Sequence, residues 1–193
     1  MTKRIISCLA VLLVLLVLPA SAPFTSGAAA VEKQSSADEN FGVRKARFET
    51  MLNHNYVYDD DFSSDRTIIE NAILALLDHA ENDEIDRELV LHFIRNMYGR
   101  EVDPNAAVYD FLPASEGKFA VLARGYSKIS HTVLSVEEVA GGWEVVSEMR
   151  IEPHDGQAYT VSANTLFVAN EGSSFGYNIV RSDLESIGDN LAV

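Results

Sequence analysis

The stretch His131–Ile151, HTVLSVEEVAGGWEVVSEMRI, decides how this chain is read. Beyond the pair Gly141-Gly142, Trp143, Val145, Met149 and Ile151 alternate with Glu144, Glu148, Arg150 and Glu152. An apolar period of two with charge in the other phase is the signature of a half-buried antiparallel strand. The preceding residues, His131 to Ala140, form a second β-type run. Two glycines between two such runs supply the positive φ angles of a type I′ turn, so the spacing predicts a hairpin.

Downstream the same period continues. Pro153-His154-Asp155-Gly156 reads as a turn, Tyr159, Val161, Ala163, Thr165 and Phe167 alternate with polar residues, and a Gly-Ser turn leads to a last strand, Phe175 to Arg181. Ser182 to Ile187 reads as a closing helical turn. Upstream, Phe119, Val121 and Ala123 begin a strand. Before Asp103-Pro104 the period is helical. Phe41, Phe48, Met51 and Leu52 share one face, and Ile68, Ile69, Ala72, Ile73, Leu76, Leu77 and Ala80 recur in pairs every four residues behind a cap at Ser64 or Asp65. Asp83 reads as the next cap, with a helical face from Ile85 to Tyr98 that Gly99 ends. Helices followed by strands, without alternation, make an α+β domain: N-terminal helices packed on a curved antiparallel sheet over residues 41–193.

The first 22 residues carry Lys3-Arg4, an apolar run from Ile5 to Leu18 and the triplet Ala20-Ser21-Ala22. This is a signal peptide, too short in its apolar part to span a bilayer, with cleavage expected after residue 22 or after residue 30. Residues 23–40, rich in Ala, Ser and Gly, read as a flexible linker. The one cysteine, Cys8, lies in the signal, so the mature domain is expected to hold no disulfide. Export places the product outside the cytoplasm with no transmembrane segment. The 193 residues carry 15 Lys+Arg against 29 Asp+Glu, and losing Lys3 and Arg4 takes the net charge from −14 to −16. So acidic a chain repels phosphate backbones, which excludes nucleic acid as a partner.

Trp143 in the Gly-Gly-Trp-Glu-Val hairpin, behind an amphipathic helical region and within a meander of long strands, resembles the nuclear transport factor two-like, or cystatin-like, superfamily over about residues 41–185. The resemblance implies a cone-shaped sheet around a helix, a cavity that holds a small ligand in steroid isomerases, dehydratases and SnoaL-like cyclases, and a homodimer through the open sheet face. It carries over no catalytic residue.

Four constellations could carry chemistry. Asp59, Asp61, Ser63, Thr67 and Glu70 place oxygens at positions 1, 3, 5, 9 and 12 of an EF-hand-type loop that also holds Asp65, although Ser64 stands where a glycine should turn and Arg66 where an apolar residue belongs. The same residues also read, and read better, as a solvated turn and a helix cap. Gly172-Ser173-Ser174-Phe175-Gly176 matches a nucleophile elbow, but no histidine follows it. His131 and Tyr126 are candidates for acid/base work, with Asp155 behind them. Trp143, Tyr159 and Phe167 could line a ligand pocket, as they could a core. No Walker loop, dinucleotide fingerprint or paired-cysteine motif occurs. The expectation is a secreted or envelope-associated, non-enzymatic binding domain for an unknown protein or small ligand, without a cofactor. The alternatives are an acid/base enzyme with a conical pocket and a calcium-stabilised extracellular module.

Overall fold

A computed structural model of the chain describes residues 40–107, 112–121 and 127–185, all within one compact unit spanning Lys33–Val193. The expected signal peptide, all of the linker but its last residue, Tyr126, Ala123 and the residues after 185 lie outside those described. The order is α1 (Phe41–Leu52), α2 (Asp65–Ala75), β1 (Glu84–Asp86), α3 (Arg87–Tyr98), β2 (Lys118–Ala120), β3 (Lys128–Val139), β4 (Gly142–Glu152), β5 (Tyr159–Ala169) and β6 (Tyr177–Glu185). Strands β3-β4-β5-β6 form an antiparallel meander, and β1 pairs antiparallel with β2. The fold is α+β. No helix among the described residues is long and apolar enough to cross a membrane.

Local chemistry sets the helix ends. Asn40, assigned above to the linker, instead caps α1 by accepting from the Gly42 N–H. Ser64 accepts from Thr67 N at 3.2 Å and caps α2. The cap of α3 is not Asp83 but Asp86, which accepts from Leu89 N. Asn82 and Asp83 both have positive φ and close a two-residue loop in which Glu81 and Glu84 exchange backbone hydrogen bonds. That is the type I′ pattern, and Asn and Asp are the non-glycine residues that tolerate it. Ile85 therefore begins no helix; it is buried on β1 opposite Phe119. Gly99 ends α3 with φ 64°, as expected.

At the β3–β4 hairpin the turn falls one residue earlier than expected. Val139 pairs with Gly142, leaving Ala140-Gly141 as the loop, and Gly141 alone has positive φ. Gly142 is needed for a different reason: a Cβ there would run into the Phe167 carbonyl of β5. The expected helical turn at 182–187 is also corrected, since Ser182 to Glu185 continue β6 and pair with Thr165 to Ser162. Thr165 and Ser182 share a hydrogen bond on the inner face, where a helix would leave both hydroxyls buried and unpaired.

One sheet face is inside. Val145 of β4, Phe167 of β5, and Tyr177 and Ile179 of β6 share one core with Phe48, Met51 and Leu52 of α1 and the apolar faces of α2 and α3, and Ser147, Met149, Ala163 and Thr165 are buried on the same sheet face. Bulges at Leu134 on β3 and Val180 on β6 shift the register once each and leave both side chains exposed. The two outer edges of the meander are tied to the helical half by side chains. Glu49 and Asn53 accept from the Val133 and His131 N–H groups on β3, and Asp59 accepts from Leu184 N on β6. Such caps keep edge strands from pairing with other chains.

Candidate functional site

His131 is 7% exposed and sits at the centre of a chain of buried polar groups. Its Nδ1 lies 2.9 Å from Ser147 Oγ on the neighbouring strand and its Nε2 lies 3.1 Å from Tyr58 Oη. Tyr58 donates its own proton to the Asn55 carbonyl, and Tyr98 donates to Asn55 Oδ1. With that proton committed, Tyr58 accepts from Nε2–H, so the network assigns the Nε2–H tautomer and Ser147 donates to Nδ1. Burial pushes the imidazole down to about 4 and raises both phenols above the ordinary tyrosine range. The imidazole is neutral at pH 7.

A serine hydroxyl donating to a neutral imidazole is the arrangement of a nucleophile and its base. Here Ser147 is completely buried, as is Asn55, and Tyr58 and Tyr98 are nearly so. A reacting carbonyl has no room beside Oγ. The network joins β3, β4, the segment after α1 and the end of α3, and the chemistry it performs is satisfying buried polar groups.

The three aromatic candidates do not form one pocket. Phe167 is fully buried and stacks on Phe48 with centroids 4.2 Å apart, while Tyr177 meets the same Phe48 edge-on at 4.9 Å. Trp143 closes the cluster against Tyr177 at 5.2 Å, with the Arg44 guanidinium 5.0 Å above its ring. These rings fill the space between α1 and the sheet. Tyr159, at the opposite end of β5 from Phe167, is 46% exposed.

The acidic loop is likewise taken apart. Asp59–Ser63 forms a 3₁₀ turn and α2 begins at Asp65, so positions 7 to 12 of the supposed loop are helical and cannot wrap an ion. Asp59 binds Leu184 N, and Asp65 binds Arg100 at 2.6 Å and Asp103 N at 2.9 Å. Ser63 donates to the Asp60 carbonyl and Glu70 pairs with Arg66. Asp61 remains on the 3₁₀ turn. Among the described residues no group of three or more histidines, cysteines or carboxylates converges.

Ser173, the elbow candidate, is buried, donates to the Asn96 carbonyl at the end of α3 and accepts from Phe175 N. It fixes the β5–β6 turn onto α3. Asp155 lies in the exposed β4–β5 turn and His154 beside it; His54, His79 and His92 are exposed too. The sequence reading missed Ser147, although a signal was there: it occupies an inward phase of β4 between Val145 and Met149, and a hydroxyl at a core position needs a buried partner. Nothing in the sequence around Asn55 and Tyr58 marks them as its neighbours.

The outer face of the meander presents a different chemistry. Register places Glu137 directly opposite Glu144, Glu148 and Glu185 on either side of Ser162, and Val146, Asn164 and Asp183 in one row. Arg181 bridges Glu144 and Asp183, and Arg150 pairs with Glu152. In the middle of this face Asn164 Oδ1 is buried and accepts from no donor among the described residues. No family model, no curated protein and no solved structure matches the chain.

Proposed function

We propose that the chain is an exported, non-enzymatic binding domain that engages a basic protein partner with the outer face of its four-stranded sheet. The observation that carries the reading is the contrast between the two faces. The inner one is filled by Phe48, Phe167, Tyr177 and Trp143, with its only imidazole enclosed by Tyr58 and Ser147. The outer one carries carboxylates in excess of its cations, and two of those cations, Arg150 and Arg181, are already paired. A lysine- or arginine-bearing surface would neutralise Glu137, Glu148 and Glu185. With a chain of net charge −14, a second copy would bring like charges together, so a different, cationic protein fits better than self-pairing. The cystatin-like resemblance supports the layout of helices on a meander and is silent on the partner.

The test compares two variants of equal charge. Glu137→Gln/Glu148→Gln/Glu185→Gln alters the face, and Asp78→Asn/Glu81→Gln/Glu116→Gln alters exposed carboxylates elsewhere. Binding of an arginine-rich peptide, followed by calorimetry at 0.1 M salt, should weaken by about tenfold or more in the first and stay within about twofold in the second. Equal weakening in both would reduce the effect to overall charge and overturn the proposal.

A further inference from the structure

We propose that His131 makes the junction between the 53–58 segment and the β3 edge acid-labile, so that acidification releases this edge before the β4–β5 ladder opens. Beside the apolar packing of Val133, three hydrogen bonds and one ring contact tie the helical half to this edge: Asn53 Oδ1 to His131 N at 2.6 Å, Glu49 Oε1 to Val133 N at 3.0 Å, Tyr58 Oη to His131 Nε2, and the stacked approach of the Tyr58 and His131 rings. Two of the four pass through the imidazole, and a third uses the backbone of the same residue. The 53–58 segment has no regular secondary structure of its own, whereas β3 is bonded to β4 along its whole length. The weak side of the junction is therefore the segment.

Protonation puts a charge where nothing compensates it. Both ring nitrogens face neutral hydroxyls, Ser147 from β4 and Tyr58 from the segment. From α3 the titratable group turned toward this network is the Tyr98 phenol, held on Asn55, and from α1 it is the Glu49 carboxylate, already bonded to Val133 N. On β4 the charged neighbours Glu148 and Arg150 alternate with the buried Ser147 and Met149 and so lie on the opposite face of the sheet. The hydroxyls could reorient to accept from an imidazolium, but burial would still oppose the charge. Opening the junction gives the ring water, which is where the charged form is stable.

The sign follows from linkage. The ring titrates near 4 in the closed state and near 6.5 when free, so the open state binds the proton more tightly. The closed junction keeps its full stability above pH about 6.5 and loses it as pH falls from there toward 4. Between pH 7 and pH 4 the opening equilibrium rises about a hundredfold.

The test is amide hydrogen exchange by NMR on the full exported chain, corrected for intrinsic rates. The His131 and Val133 amides should lose about a hundredfold of protection from pH 7 to pH 4, well ahead of amides in the β4–β5 ladder. In His131→Gln, which keeps a side chain able to donate and accept, this dependence should flatten. If that variant does not fold, the wild-type imidazole proton shifts serve instead, and their midpoint should coincide with the pH at which the loss of protection at residues 131 and 133 levels off, about 4. Loss of protection in step with the β4–β5 ladder, a levelling-off that does not match the imidazole midpoint, or an undiminished pH slope in the glutamine variant would overturn the proposal.

Discussion

Phe48 is where the two halves of the molecule meet, since one ring on α1 touches Phe167 of β5, Tyr177 of β6 and Trp143 of β4. Removing it leaves a cavity that three strands cannot collapse to fill, so Phe48→Ala should cost about 3–5 kcal/mol in urea unfolding. Phe41, about two helix turns away on the same element, is 60% exposed, and Phe41→Ala should stay within about 0.5 kcal/mol. Both phenylalanines fit the apolar stripe read from sequence; only packing separates them. The two hairpin glycines separate in the same way. Gly142→Ala should destabilise by about 1–3 kcal/mol because its Cβ strikes backbone, whereas Gly141→Ala should cost about 1–2 kcal/mol through its positive φ. A d-alanine at Gly141, introduced by chemical synthesis, should recover that loss, and at Gly142 it should not.

At the scale of elements, short-range signals were read well and long-range ones poorly. Ser64 and Gly99 were legible because a cap bonds to residues three or four positions away, and Ser64→Ala should cost about 1 kcal/mol in thermal unfolding. Asp83 was misread for Asp86 because both precede helix-like residues; the choice fell to β1, whose pairing with β2 over thirty residues later takes Ile85 into a strand. The same logic applies to the expected calcium loop. Asp59, Asp65 and Glu70 are spaced for an EF-hand in sequence, but each finds its partner elsewhere, on Leu184, Arg100 and Arg66 respectively. Millimolar calcium should therefore leave the melting temperature unchanged, in wild type and in Glu70→Gln alike. A rise of several degrees that the Gln variant abolishes would restore the metal reading. Asp59→Ala should instead loosen the β6 edge, seen as faster exchange at the Leu184 amide.

For the whole molecule, the charge excess and the segregation of faces matter more than any one contact. A sheet whose inner face is closed by aromatic rings and whose outer face is carboxylate-rich should resist self-association while favouring cationic partners. Light scattering should accordingly report a monomer at physiological salt, and a dimer would return weight to pairing through the open face. If the N-terminal segment directs export, mass spectrometry of the secreted product should find its first residue at 23 or 31. The class of fold, the long hairpin, the placing of the helices ahead of the four-stranded meander and the acidic balance were all determined by sequence alone, because they follow from local periodicity and composition. Tertiary structure decided the roles of individual residues. His131 became a structural group through Tyr58 and Ser147, Phe167 a core residue through Phe48, and Asp65 an ion-pair partner through Arg100. Burial and hydrogen-bond partners belong to pairs of residues distant along the chain, and a periodicity describes only neighbours.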